Sequence, residues 1–448
     1  MEFGHKLCGH ENLLAVRKYD ETYRRQRKLI NRQLGTKSDA EPYHDMMEAE
    51  AGRFLVRSLE KPKGLMQHLR TATGATILRL TYGYCIQTNE EDPLVDLVER
   101  VTRNISDAFM PMAWLIDIIP AVQCLPDGFP GTAFKETARQ WNSFSQEVAD
   151  IPYSFVRNQM KIGSPRPSYI SRILEERSSS GTGVSTLSPP EEEAVKWSAA
   201  TLYYAGSDTT VSALKSFILA MVMFPDVQRK AQEEIDMVTE CNSLPQFEDR
   251  DKLPYLEAVI KEVYRWSVVV PMGFPHVLEE DMVYNGYFIP KGTYLLPATW
   301  WFCHDPEVYT NPAVFNPDRF LKPRDEPDPR AVIFGFGRRK CPGRYITESS
   351  IFITIAQTLA AFRIKNAVDI QGFEIPVELD VTPSLISHPK DFLYDIVPKS
   401  PKHEQLIQAI NTEHSYEKGD TSLLDKARTN KLTNLLRSRA WDGPLESL

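Results

Sequence analysis

The chain has no uncharged apolar run of the roughly 18–20 residues that cross a bilayer. Its opening, MEFGHKLCGHENLL, has no apolar stretch that would make a secretory signal. Positive charge is not in excess: 52 Lys and Arg stand against 60 Asp and Glu, a net −8. That balance gives no nucleic-acid footprint. Cysteine is scarce, with six residues in 448, at positions 8, 85, 124, 241, 303 and 341, and no CxxC pair. A zinc framework or disulfide scaffold is therefore not expected, and a reducing compartment is the default. Proline is plentiful by contrast; the 32 prolines point to many interrupted elements. Hydrophobic residues at 42% and charged residues at 25% are ordinary for a globular protein, which excludes wholesale disorder.

Read along its length, the chain is mostly helical for about three hundred residues. Residues 14–34, 64–84 and 93–110 carry apolar side chains at helical spacing. The stretch 108–122, AFMPMAWLIDIIPAV, is apolar but broken by Pro111, Asp117 and Pro120. It reads as core or as a surface element that dips into lipid. Residues 163–190 read as a loop region. A long helix is expected from Pro189-Pro190 to about Met223, with Glu191, Glu192 and Glu193 in the first turn, where the helix dipole favours acids. Helices follow over 225–240 and from Pro254 to about Trp266. Val268-Val269-Val270 reads as a strand, and Asn285-Gly286 as the turn of a hairpin. Residues 311–340 are irregular, 343–362 helical, and 366–398 strands and turns. Residues 1–400 read as one domain and 401–448 as a polar, poorly packed tail, with 423–436 its one amphipathic candidate.

One segment carries chemistry: Phe334-Gly335-Phe336-Gly337-Arg338-Arg339-Lys340-Cys341-Pro342-Gly343. Three cations precede the cysteine, and Pro342 is suited to open a helix after it. Cations and a helix N-terminus both favour thiolate. The glycines permit a tight loop around the sulfur, and Phe334 offers an apolar wall. Such a thiolate is suited to ligating a metal centre of intermediate softness. The other five cysteines read as buried structural residues.

This segment resembles the haem-binding loop of the cytochrome P450 family, FxxGxRxCxG. All five fixed positions match, at Phe334, Gly337, Arg339, Cys341 and Gly343. At about 5% usage per residue, a chance match in such a chain is on the order of one in ten thousand. Two further motifs lie upstream in order. The long helix holds Ala205-Gly206-Ser207-Asp208-Thr209-Thr210. A mid-helix glycine costs about 1 kcal/mol relative to alanine, and a flat cofactor close to the backbone would give Gly206 a reason. Thr209 can bond the carbonyl of Ala205 and so open the helix locally. The second motif, Glu262-Val263-Tyr264-Arg265, is similar to the family's ExxR, whose spacing puts both side chains on one helix face. Phe315-Asn316-Pro317-Asp318-Arg319-Phe320 is similar to the family's PERF segment.

The resemblance implies a mainly α fold with small β-sheets, haem b ligated by Cys341, and Ala205 and Gly206 beside the haem. It implies that Thr209 and Asp208 manage protons, and that Glu262, Arg265 and Arg319 form a structural triad. Arg339, Tyr23, Arg27 and His276 are its propionate candidates, Tyr23 standing where relatives have Trp. The pocket candidates are Leu202, Val269, Val270, Met272, Phe274, Leu385 and Ile386. All seven are apolar, which suits an apolar substrate. The cations Arg24, Arg25, Lys28, Arg338, Lys340 and Arg344 suit an acidic NADPH-cytochrome P450 reductase. The expected reaction is insertion of one atom of O2, at the cytosolic face of the endoplasmic reticulum membrane.

The resemblance covers about residues 14–400. It is strongest to fungal microsomal members of the O-methylsterigmatocystin oxidoreductase type. Those have a membrane anchor and the first sheet strands ahead of the Tyr23–Arg27 helix, so the chain is expected to lack its N-terminal portion. Two other readings stay open: an inactive haem-binding remnant, and a reductase-independent haem-thiolate isomerase or dehydratase.

Overall fold

A computed structural model describes residues 2–87, 92–110, 112–178, 187–413 and 419–425. The chain divides into two units. The first comprises Met1–Val211, Pro342–Ser350 and Ile407–Leu448; the second comprises Ser212–Cys341 and Ile351–Leu406.

The first unit begins with helices α1 (Glu21–Leu34), α2 (His44–Glu60), α3 (Leu65–Tyr82) and α4 (Pro93–Ala108). A short α5 (Leu115–Ile118), the long α6 (Phe134–Lys161) and α7 (Tyr169–Ser178) follow. Asp20 caps α1 by accepting the Tyr23 amide at 2.7 Å, and Asp92 caps α4 through Leu94 at 2.9 Å. Each cap satisfies one of the donors a helix start leaves open. The stretch 108–122 divides its apolar residues. Trp114 and Ile116 join Phe3, Phe134 and Trp141 in a buried cluster. Met112, Leu115, Ile118 and Ile119 face outward. Helix α7 falls in the region expected to be loop. Tyr169, Ile170, Ile173 and Leu174 are buried on one face, a helical spacing hidden between Gly/Ser/Pro clusters.

Helix α8 (Pro189–Met223) runs from the first unit into the second, and its remainder is followed by α9 (Pro225–Thr239) and α10 (Pro254–Trp266). Each of these three helices opens on proline, which lacks the amide a first turn cannot use. Two small antiparallel pairs come next. Strand β1 (His276–Val277) pairs with β4 (Tyr294–Leu295), and β2 (Met282–Tyr284) with β3 (Tyr287–Ile289). Asn285 and Gly286 turn the hairpin with φ of 49° and 85°, the left-handed pair this turn requires. Val268–Val270 is not a strand. Ser387 donates to the Val269 carbonyl and Gly273 to that of Val270, and the following Pro271 has no amide for a ladder.

Helices α11 (Thr299–His304) and α12 (Arg330–Ile333) flank an irregular segment. Helix α13 (Arg344–Ala361) leads into β5 (Phe362–Lys365), which pairs with β6 (Asp395–Pro398). Residues 401–413, expected as part of a polar tail, form helix α14 (Pro401–Glu413), with Ile407 fully buried. In the first unit, Asp420 is buried and accepts from the Cys85 amide at 2.8 Å and from Arg166. Apart from 423–425, the amphipathic stretch 423–436 lies outside the described residues.

Candidate functional site

The second unit contains a network of charges with no exposure. Glu262 and Arg265 lie one turn apart on α10, and Arg265 grips Glu262 through Nε and Nη2, both at 2.8 Å. Arg319, from the irregular segment, adds its Nε at 3.0 Å to Glu262 Oε1. All three side chains are 0% exposed. Their remaining donors serve backbone that has no ladder partner. Arg265 bonds the carbonyl of Cys303 at 3.0 Å, and Arg319 those of Thr310 and Val314, both at 3.1 Å. Glu262 also accepts the Asn316 amide at 2.8 Å. A segment without regular structure must still pair its buried backbone groups, and here guanidinium forks do it.

Two members of this network were not among the sequence candidates. Asn316 contributes only its amide, which no residue-type rule signals. Glu326 holds Arg319 Nη1 at 2.6 Å and also receives Arg324. Its position depends on the course of the loop. Burial pushes the Glu326 carboxyl up, but hydrogen bonds from Arg319 and Arg324 outweigh it and leave its pKa below the ordinary 4.5. A depressed carboxyl contributes stability that is present above its unfolded pKa and lost as pH falls through the folded one. The melting temperature should therefore drop as pH falls below about 4.5, and Glu326→Gln should flatten that acid limb. Thermal melts across this range check it. Equal slopes in both proteins would remove Glu326 from the titration.

Helix α10 also supports the cysteine loop. Tyr264 packs edge-on against Phe334, with ring centroids 5.9 Å apart. From Phe334 the chain turns through Gly335 and Gly337, with φ of 73° and 53°, conformations that glycine adopts without strain. The Cys341 amide donates back to the Phe334 carbonyl at 2.7 Å, closing the loop on itself. Cys341, Arg339 and Phe334 are each partly buried. A Cβ at Gly337 or at Gly343 would meet no atom within 4 Å. The loop therefore leaves open space at both glycines. Cys303, in contrast, is fully buried, and burial pushes its thiol up to about 12.

In the first unit, Thr209 Oγ1 donates to the Ala205 carbonyl at 2.8 Å, and Ser207 does the same to Tyr203 at 2.6 Å. The expected local opening is not there: α8 is helical from Pro189 to Met223. A Cβ at Gly206 would lie 2.9 Å from Ile77 Cδ1 of α3, so the Ile77 side chain would have to shift to admit a larger residue. Ala205, Asp208 and Thr209 are partly buried, and Leu202 is buried.

Four of the other pocket candidates are brought together within the second unit. The Ser387 amide bonds the Val269 carbonyl at 2.8 Å, so Val269 and Val270 lie beside the Leu385-Ile386 turn. Ser212 of α8 bonds the Ser387 carbonyl at 2.5 Å, and Ser216 bonds Ser267 at 2.8 Å. Met272 and Phe274 are exposed. His276 is half-buried in β1, opposite Leu295. In the first unit, Tyr23 is buried in α1 and Arg27 half-buried one turn later. Of the basic candidates, Arg24, Lys28 and Arg338 are exposed. Arg25 is paired with Glu21 at 2.9 Å, and Arg344 lies over the Tyr345 ring. Lys340 is half-buried.

Residues 5–391 match the family model described as Cytochrome P450. This chain is a member of the cytochrome P450 family.

Its relatives agree. The multifunctional cytochrome P450 monooxygenase af510 of Aspergillus fumigatus is 44% identical over 420 residues, covering 94% of this chain and 78% of that protein. Cytochrome P450 monooxygenase CLM2 of Gibberella zeae is 44% identical over 425 residues, covering 95% and 80%. The O-methylsterigmatocystin oxidoreductase of Aspergillus flavus is 36% identical, covering 94% and 78%. Among solved structures, a zebra fish cytochrome P450 with progesterone superposes with a TM-score of 0.68, at 22% identity and over 89% of this chain and 87% of that one. That likeness establishes the cytochrome P450 fold: mainly helical, with small antiparallel sheets.

Cytochromes P450 bind haem, and the Cys341 loop fits that group. It presents a thiol in a glycine-lined turn with open space at Gly337, and the Cys341 amide closes that turn on the Phe334 carbonyl. Arg339, two residues from the sulfur, is a donor suited to a propionate.

Proposed function

We propose that this chain is a haem-thiolate monooxygenase. It holds a b-type haem through Cys341 and inserts one atom of O2 into an apolar organic substrate. Electrons come from NADPH through the flavoprotein NADPH-cytochrome P450 reductase. The observation that carries the reading is the closed glycine turn that presents Cys341. A thiolate-ligated haem, when bound, supplies dioxygen activation; the handing of electron density from thiolate to iron is the general behaviour of this ligand type.

The remaining roles belong to side chains of this chain. Cys341 Sγ is the metal ligand. Arg339, Tyr23, Arg27 and His276 are the propionate partners we assign. Asp208 and Thr209 hold and pass protons. The Thr209 hydroxyl already donates to Ala205, so its lone pairs are free to accept from a water or an acid. General acid help of this kind contributes roughly 10²–10⁴-fold. Val269, Val270, Leu385 and Ile386, with Leu202, Met272 and Phe274, line the substrate space and exclude water. Glu262, Arg265 and Arg319 keep the fold that retains haem and take no part in the chemistry. Residues 1–400 act as the haem domain.

The exposed cations Arg24, Lys28 and Arg338 suit an acidic reductase surface. Met112 at 77% exposure, with Leu115, Ile118 and Ile119, offers an apolar contact to lipid. Those features support work at the cytosolic face of the endoplasmic reticulum membrane. No single helix among the described residues is long and apolar enough to cross it.

The deciding experiment is the carbon monoxide spectrum of the reduced holoenzyme, followed by turnover with NADPH and reductase. A red-shifted Soret band with reductase-dependent oxygenation supports the reading. A band without reductase dependence assigns an isomerase or dehydratase, and no band assigns a remnant. Thr209→Ala should keep the band and divert reducing equivalents to peroxide. Unchanged coupling of NADPH to product would remove Thr209 from proton delivery.

A further inference from the structure

A second constellation of metal-ligating side chains lies in the second unit, where α9 ends and α14 begins. Asp236 sits in the last turn of α9. Cys241 lies in the turn just past that helix, and His403 is in the first turn of α14. One donor atom from each falls within 4.8 Å of the others. His403 is 8% exposed, and Asp236 and Cys241 are partly buried. This differs from the other cysteines outside the haem loop: Cys8, Cys85 and Cys303 are buried in core, and Cys124 is exposed.

The surroundings hold the three groups in place. Ser400 Oγ lies 2.8 Å from His403 Nδ1, which fixes the ring and leaves Nε2 to ligate. Lys399 Nζ bonds both oxygens of Asp236, at 2.6 and 2.8 Å. A carboxylate can accept more than one donor, so one oxygen can bind a cation while the other keeps its ammonium. Lys402 ties α14 to Asn242 at 2.7 Å, closing the same junction from the other side. Glu240 and Cys241 have consecutive left-handed backbones, with φ of 52° and 55°. Two adjacent non-glycine residues in that region are uncommon, and they turn the chain sharply where the thiol must leave the helix axis.

We propose that Asp236, Cys241 and His403 bind a divalent cation of the zinc class. Sulfur, imidazole and carboxylate form the donor set that zinc accepts with a water in the fourth position. Tetrahedral donors around zinc lie roughly 3.5 Å apart, so side-chain rotations of about 1 Å complete the site. On binding, the Cys241 S–H bond breaks, its proton goes to solvent, and the S–Zn bond forms. The thiolate and the carboxylate balance the charge of a divalent ion, and the Lys399 ammonium leaves the site one positive charge over. The family match ends at residue 391, ahead of His403. The ion would therefore pin α14 to α9, joining a segment beyond the matched region to one inside it.

The test is site-resolved alkylation of the holoenzyme by iodoacetamide, read by peptide mass spectrometry, with and without zinc ion. Zinc should slow modification of Cys241 by roughly tenfold or more, because a ligated thiolate is a poor nucleophile, and should leave Cys124 unaffected. His403→Gln should cancel that protection, with Asp236→Asn as the second variant should the first not fold. An unchanged Cys241 rate in the wild-type protein overturns the proposal. So does protection that survives in a folded His403→Gln or Asp236→Asn variant.

Discussion

Alanine at Cys341 abolishes the red-shifted Soret band of the reduced, carbon-monoxide-bound protein. The loss is to baseline, since a metal–ligand bond is present or absent. No other cysteine of the second unit can take over. Cys303 is fully buried with its thiol pushed up to about 12, and it accepts Arg265 through its own carbonyl. Cys241 stands in the turn after α9. Serine at the same position supplies a harder oxygen donor and should not restore the band. The loop itself should survive either change. It is closed by the Cys341 amide on the Phe334 carbonyl, by Gly335 and Gly337 in left-handed turns, and by Phe334 on Tyr264, none of which needs the sulfur. Far-UV circular dichroism and the melting temperature of the haem-free variant should stay near those of haem-free wild type. A band that persists in Cys341→Ala would sink the ligand assignment.

The parts of this molecule that could be read in advance are those governed by neighbours in sequence. Helices α8, α9 and α10 begin at Pro189, Pro225 and Pro254, because proline suits a first turn whatever lies around it. The Asn285-Gly286 hairpin follows from two residues that tolerate left-handed backbone. The Cys341 loop was legible because its glycines, cations and thiol are contiguous. Where distant partners decide, local reading fails. Val268–Val270 has strand composition, but its hydrogen bonds go to Ser387 and Gly273. The side chain that packs closest to Gly206 is Ile77, which is 129 positions earlier and invisible to any local pattern. Helix α7 carried its own apolar spacing, masked by flanking Ser, Gly and Pro. Helix α14 looked like tail because its composition is polar, yet the buried Ile407 and Ile410 and the anchoring pairs of Lys399 and Lys402 dock it. The pairing of Glu262 with Arg319, 57 residues apart, was legible only through family resemblance. Its extension to Asn316 and Glu326 was not, because that depends on how an irregular loop runs.

Removing the carboxylate at Glu262 should be the most damaging single change to stability. Glu262→Ala leaves Arg265 and Arg319, both 0% exposed, without the anion they share. Breaking a buried pair by deleting one partner costs about 3–5 kcal/mol, because the surviving charge stays desolvated. Here two charges are stranded, although Arg319 keeps Glu326. The loss also propagates through backbone. The Asn316 amide loses its acceptor, and the guanidiniums lose the anchor that aims them at the carbonyls of Cys303, Thr310 and Val314. The Cys303 carbonyl lies in α11, and those of Thr310 and Val314 lie in the irregular segment before α12, which leads straight into Phe334 and the cysteine loop. Haem retention should therefore fall together with stability, with no change at any residue of the loop. Glu262→Gln should be intermediate: its carbonyl oxygen can still accept, but its amide nitrogen faces guanidinium donors and its charge is gone. Arg265→Lys should also lose stability, since one ammonium cannot reproduce the bidentate grip at two distances of 2.8 Å. Denaturant unfolding and haem content per folded chain, measured on the same preparations, give both effects. A Glu262→Ala protein with wild-type midpoint and full haem content would mean that the buried network contributes neither stability nor support to the loop.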